Sequence, residues 1–230
     1  VAALIVILVV SGALLVGAAW GAFLPFPRRL EGFVVAIAGG ALVVSLMLEL
    51  VEPATRATAT WHVALALLAG AAVFSVLDRA VSARWGEGNG GGMLVAVTLD
   101  GVPENLALGV ALIEAPVAGV AALAGSILLS NLPEAAGGAA QMRATGAHRS
   151  RVFLLWGATA GLLVLAALAG YVGLEHASPT TIALMQAFAA GAVVASLATE
   201  VFPTAYREDS FLAGFATAIG VVLAALLDQL

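Results

Sequence analysis

The chain has 230 residues, of which 62% are hydrophobic and only 10% charged, with a mean hydropathy of +1.09. Soluble domains carry about 25% charged residues, so the composition excludes an ordinary soluble domain and points to an all-α integral membrane protein. Fourteen acids against nine arginines give a net charge of −5 with no basic face for nucleic acid, and the absence of cysteine removes disulfides, thiolate ligands and thiol catalysis.

Apolar runs set off by turn residues and charges predict eight transmembrane helices, over about 2–24, 31–52, 61–80, 92–113, 116–140, 151–173, 180–202 and 210–229. Each is near the roughly 20 residues that cross the hydrocarbon core. Connections are short, so residues 1–230 read as a single transmembrane domain. Those after spans 1, 3, 5 and 7 hold Arg28, Arg29, Arg79, Arg84, Arg143, Arg149, Arg151 and Arg207, and the opposite side holds only Arg56. The positive-inside bias then places both termini outside the cytoplasm, in a plasma membrane.

Span 2 contains Gly40, Ala41, Val43, Ser45, Leu46 and Glu49, matched without a gap by Gly191, Ala192, Val194, Ser196, Leu197 and Glu200 in span 7. Spans 2 and 7 cross in opposite directions, so a repeat of spans 1–3 in 6–8 is inverted, an arrangement found around midplane sites in transporters. Glu49 and Glu200 lie near the ends of their spans, followed by Pro53 and Pro203, and read as vestibule or secondary ion contacts past which cations enter. Glu52 reads as interfacial. His62, His148 and His176 fall in or beside connections and read as solvated. The stretch Gly86–Gly92 lacks a following Lys-Ser/Thr and reads as a flexible cytoplasmic linker.

Spans 4 and 5 carry the chemistry. Each has a proline followed at once by a glutamate, in Asp100-Gly101-Val102-Pro103-Glu104-Asn105 and in Ser130-Asn131-Leu132-Pro133-Glu134. A carboxylate at the centre of a membrane helix costs about 2.5–3.5 kcal/mol on insertion scales, so it faces a partner, an ion or a water path. No arginine is placed to neutralise Asp100, Glu104 or Glu134. Helical spacing of three or four residues puts Asp100 with Glu104, and Ser130 or Asn131 with Glu134, on one face of each helix. Pro103 and Pro133 release the carbonyls of Leu99 and Leu129 and are expected to open space between the two helices. Asn105 either ligates beside Glu104 or satisfies the broken backbone.

At these residues the chain resembles the ZIP family of zinc- and iron-regulated transporters. Asp100–Asn105 sits on the helix 4 signature His-Asn-x-Pro-Glu-Gly, and Ser130–Ala135 follows the helix 5 pattern x-x-x-Pro-Glu-Gly. Gly39-Gly40 through Pro53 and Phe188 through Pro203 extend the likeness over the whole chain. The resemblance implies eight helices in a 3+2+3 arrangement, external termini and a binuclear metal site between helices 4 and 5. Departures concern the ligands: Asp100 and Gly101 replace histidine and asparagine, Ser130 replaces histidine or glutamine, and span 6 has no acid in Trp156–Leu163. The second metal position is thereby weakened or lost.

What remains is an all-oxygen set of Asp100, Glu104, Ser130 and Glu134, with Asn131 helping. Such ligands suit Mn²⁺, Mg²⁺ or Ca²⁺ and also bind Zn²⁺, Fe²⁺ and Cd²⁺. The divalent cation is expected as substrate, with no cofactor, moved toward the cytoplasm by alternating access. The alternative is a ZIP-like protein that has lost metal transport and acts on protons or as a sensor or scaffold. Small residues facing the membrane permit a homodimer. An intramembrane hydrolase is disfavoured, because Ser130 has no base in a span and one central aspartate makes no dyad.

Overall fold

The computed structural model describes residues 1–24, 27–85, 90–115, 117–208 and 210–227. The described residues form helices and connections without a strand. They are α1 (Ala2–Phe23), α2 (Arg28–Ala57), α3 (Thr60–Trp85), α4 (Gly90–Glu114), α5 (Ala121–Ala144), α6 (Arg149–Gly173), α7 (Pro179–Glu208) and α8 (Ala213–Leu227). An apolar environment offers the backbone no water, so each segment must bond to itself, and this overrides the low helix propensity of glycine and the β-branched residues.

Six of these, α1, α2, α3, α5, α6 and α7, are long and apolar enough to cross a membrane. The shorter α8 is also apolar, while α4 carries Asp100, Glu104 and Glu114.

Several boundaries differ from the sequence reading. Span 2 was bounded at 31–52, yet α2 runs from Arg28 to Ala57 through a π-helical turn at Met47–Val51. The fifth helix starts at Ala121 and not at 116, after a 3₁₀ turn at Val117–Val120. The last begins at Ala213 and not at 210, and 228–229 lie outside the described residues. Of the glycine-rich linker, 86–89 lie outside the described residues and Gly90–Gly92 already belong to α4. At the start of α7 the Ser178 hydroxyl accepts from the Thr181 amide at 3.2 Å, with Pro179 in the first turn, as helix starts require.

Close helix pairs hold the molecule together, and glycine makes them possible. A Cβ on Gly40 of α2 would come within 2.9 Å of the Thr217 carbonyl carbon of α8, and one on Gly220 would strike Ile37. In α3 and α7, Gly70 and Gly191 lie in the same way against Phe188 and Leu67. Gly17 and Gly21 bring α1 onto α5, and Gly109 and Gly170 bring α4 onto α6. These four pairs, α1 with α5, α4 with α6, α2 with α8 and α3 with α7, are the most extensive in the fold. Without a hydrophobic force between helices in lipid, such backbone approach is a main source of packing energy.

Many large apolar side chains on α1, α3, α6 and α8 face outward, among them Leu8, Leu68, Leu154 and Val222. Gly40→Ala and Gly191→Ala are expected to destabilise the detergent-purified protein by about 1–3 kcal/mol each, seen as a lower Tm. The control Gly161→Ala, at an exposed position with no heavy atom within 4 Å, should leave Tm level or raise it. A Gly40→Ala protein as stable as the parent would contradict the α2–α8 approach.

Candidate functional site

Two apolar clusters divide the interior. One contains Val10 of α1, Ala107 of α4, Ile127 of α5 and Ala167 of α6, and the other contains Leu14, Val97, Ala135 and Leu163 of the same four helices. Between the paired positions lies a polar layer: Ser11 on α1, Asp100, Glu104 and Asn105 on α4, and Ser130, Asn131 and Glu134 on α5. Asp100 is 6% exposed and Glu104 3%; Asn105, Ser130 and Asn131 are buried, and Glu134 is partly buried. The helical spacing read from the sequence thus delivers both acidic faces to one interior level.

Ser196 of α7 joins this layer, donating its hydroxyl to Asp100 Oδ1 at 2.7 Å. Ser196 stood out in the sequence only as a repeat match, and its role as the partner of Asp100 needed the packing of α7 on α4. The side chains of Asn105 and Asn131 fasten the layer to α1. Asn105 Oδ1 accepts from Ser11 at 3.3 Å while its Nδ2 donates to the Gly101 carbonyl at 2.9 Å, and Asn131 Nδ2 donates to the Val10 carbonyl at 3.4 Å. The Asn105 side chain thus reaches the Gly101 carbonyl and not the Leu99 carbonyl that Pro103 releases. Ser130 donates to the Ile127 carbonyl of its own helix at 3.1 Å, which leaves its oxygen able to accept or ligate.

The charges acting on these groups are acidic. Asp100 feels Glu134, Glu200 and Asp78; Glu104 feels Asp100; Glu134 feels Glu104, Glu31 and Glu200. No arginine acts on any of the three. The carboxylates nevertheless stand apart: among the described residues no three of His, Asp and Glu come together closely enough to hold a metal ion. Like charges without a counter-ion repel, so an arrangement of neighbours short of a closed cage is what electrostatics favours.

Glu49 and Glu200 both fall in π-helical turns, Met47–Val51 and Leu197–Val201. They flank the layer from opposite sides. Glu49 Oε1 accepts from the Leu123 amide at the start of α5 at 3.0 Å, well before Ser130 in that helix, whereas Glu200 lies one turn past Ser196 along α7. The matched sequence positions of Glu49 and Glu200 thus fall on opposite sides of the layer.

Pro103 lies inside α4 and faces a cleft of about 360 Å³, lined by Phe74, Leu77, Leu99, Pro103, Leu106 and Phe188 between α3, α4 and α7. Leu99, Pro103 and Leu106 share one stripe of α4, and Asp100 and Glu104 lie about 100° round it. Leu129, whose carbonyl Pro133 releases, is 38% exposed on the outside of α5.

His62 is partly buried, contacts Thr58 and stacks on Trp61 with centroids 3.5 Å apart; His148 and His176 are exposed. Glu52 pairs with Arg56 at the surface. The structure adds one acid that sequence reasoning passed over, Glu31, buried in the first turn of α2. Its position beside Arg28 and Arg29 made it look like a span boundary.

Compared with known protein families and with curated protein sequences, the chain matches none.

Removing the amide clamp by Asn105→Ala leaves the buried Ser11 hydroxyl without its acceptor and should cost about 1–3 kcal/mol in unfolding experiments. Ser130→Ala loses only a bond within its own helix turn and should shift Tm much less. Equal Tm values for the two variants would argue against the α1–α4 clamp.

Proposed function

We propose that the chain is a ZIP-like transporter that moves divalent metal cations across a membrane by alternating access, with Asp100, Glu104 and Glu134 as the core of the transport site. The observation that carries this reading is the polar layer itself: three carboxylates on two proline-bearing helices, whose charged neighbours among the described residues are acids. Buried carboxylates without a base are protonated, hydrated or bound to a cation. Ser130 and Asn131 supply further oxygen on the α5 face, and Glu49 and Glu200 stand on either side of the layer. An all-oxygen set of this kind suits Mn²⁺, Mg²⁺ or Ca²⁺ and accepts Zn²⁺, Fe²⁺ or Cd²⁺.

In this reading α4 and α8 complete eight crossings. The α2–α8 and α3–α7 pairs, and the α1–α5 and α4–α6 pairs, exchange under an inversion that takes α1, α2 and α3 to α6, α7 and α8. The Gly40–Gly220 and Gly191–Gly70 approaches support that relation. The arginine-bearing ends share one side of the molecule, where Arg149 lies 4.5 Å over the Phe23 ring. The positive-inside rule makes that side cytoplasmic and both termini external, in a plasma membrane. A cation entering past Glu49 displaces protons or water from the layer, draws the separated carboxylates together and leaves past Glu200.

A second reading is favoured by the lack of a closed ligand set among the described residues and by the Ser196–Asp100 bond. It is a ZIP-like relative that handles protons or senses cations without carrying them.

Proteoliposomes loaded with the full chain separate the two. Uptake of Zn²⁺, Fe²⁺, Mn²⁺, Cd²⁺, Mg²⁺ and Ca²⁺ should show at least one ion carried, with Glu104→Ala and Glu134→Ala each abolishing its uptake. Folded protein that carries none of the six would favour the second reading.

A further inference from the structure

Glu31 is 6% exposed, although Arg28 and Arg29 beside it are exposed. Its side chain reaches across from α2 to α5 and fills the space beside Gly137. A Cβ added to Gly137 would lie 2.6 Å from the Glu31 Cδ and 2.7 Å from its Oε2. Gly137 stands three residues beyond Glu134 on the same face of α5, about 4.5 Å along the helix axis. The Glu31 carboxylate therefore lies against α5 about one turn from Glu134, on which its charge acts, on the side of the polar layer nearer the arginine-bearing ends.

The charges facing Glu31 are Glu208, at the end of α7, Glu134 on α5, and Arg28 on its own helix. Among the described residues no donor bonds to its carboxylate, and none bonds to that of Glu134. A carboxylate more than nine-tenths buried, with no hydrogen bond among the described residues and within the field of a second carboxylate, is stabilised by a counter-charge or a proton. A glycine where any other residue would push the carboxylate away makes the pocket a built one.

We propose that Glu31 and Glu134 form a second cation station, a two-carboxylate site for a divalent ion between the polar layer and the arginine-bearing end. The station rests on the transport reading and assigns it an exit step. Glu134 belongs to both sites, so an ion passes from the layer to the station by exchanging Asp100 and Glu104 for Glu31 and water while keeping one ligand. Two protein carboxylates with water hold a hard ion more weakly than a fuller set does, which suits release.

The test uses the full chain, with Mn²⁺ and Zn²⁺ as probes. Equilibrium binding is measured in detergent and initial uptake in proteoliposomes, for the parent, Glu31→Gln, Gly137→Ala and Glu134→Gln. Glu31→Gln keeps the shape of the side chain and removes its charge; Gly137→Ala keeps the charge and displaces only the mobile end of the side chain. Both should lower the uptake rate of the carried ion about tenfold or more while tight binding of one ion persists. Glu134→Gln should abolish binding and uptake together.

Parental uptake rates in both Glu31→Gln and Gly137→Ala would overturn the station and leave the transport reading standing. Failure of the parent to bind or carry either ion would overturn the station along with transport of those ions. Should Gly137→Ala fail to fold, Glu31→Gln decides by itself, because Gln is isosteric and a packing role would survive the change.

Discussion

A carboxylate can be carried into an apolar slab only on a helix face that other helices cover, and this constraint organises the whole molecule. The acidic faces belong to α4 and α5. α4 is covered by α6 and α7, and α5 by α1 and α2, through contacts in which glycine or alanine lets backbone meet backbone. Bulkier residues at Gly17, Gly109 or Gly191 would hold the helices apart and leave the polar layer open to lipid. The small-residue composition is thus the condition for keeping Asp100 and Glu104 inside. The two apolar clusters on either side of the layer confine polarity to one level.

The correspondence between the halves extends to polar detail and then breaks. Ser45 and Ser196 occupy matching places, as do Glu49 and Glu200, and both glutamates sit in π-helical turns, a local widening often found at functional sites. The Pro103 and Pro133 motifs pair Asp100 with Ser130 and Glu104 with Glu134. Ser196 donates to Asp100, whereas the hydroxyl of its counterpart Ser45 is buried with no partner among the described residues. The scaffold is therefore nearly symmetric and the chemistry is not: the acid at position 100 has drawn a serine into service that its mate lacks.

Much of this was legible in the sequence because membrane helices obey a simple rule of length and hydropathy, and because i, i+4 spacing fixes which side chains share a face. The helices and the convergence of Asp100, Glu104, Ser130, Asn131 and Glu134 on one level follow from those two facts. What could not be read depends on neighbours in space. The cleft beside Pro103 depends on where α3 and α7 pack. The bond between Asn105 and Ser11 depends on α1 lying beside α4. Glu31 looked peripheral because burial at a helix end is set by the partner helix, here by Gly137 of α5. The signal available was weak: Gly137-Gly138 one turn after Glu134, in a span where small residues are common.

The acids form a series running the length of the interior: Glu49 near the start of α5, then Asp100, Glu104 and Glu134 in the layer, with Glu200 and Glu31 beyond. Among the described residues no arginine is among the charges acting on Asp100, Glu104 or Glu134. Had these acids served stability alone, the cheaper solutions were an arginine partner or an apolar replacement, since a buried ion pair rarely outdoes hydrophobic packing. Neither is present at Asp100, Glu104 or Glu134, and hydrogen bonds from the protein reach only Asp100 among them. Several like charges held as neighbours, but short of contact, form an arrangement whose repulsion a passing cation relieves. That relief is largest where the acids are most numerous and smaller toward Glu31, where Arg28 already contributes positive charge. In the proposed transport reading, a gradient of this sense would hold an ion at the layer and release it toward Glu31.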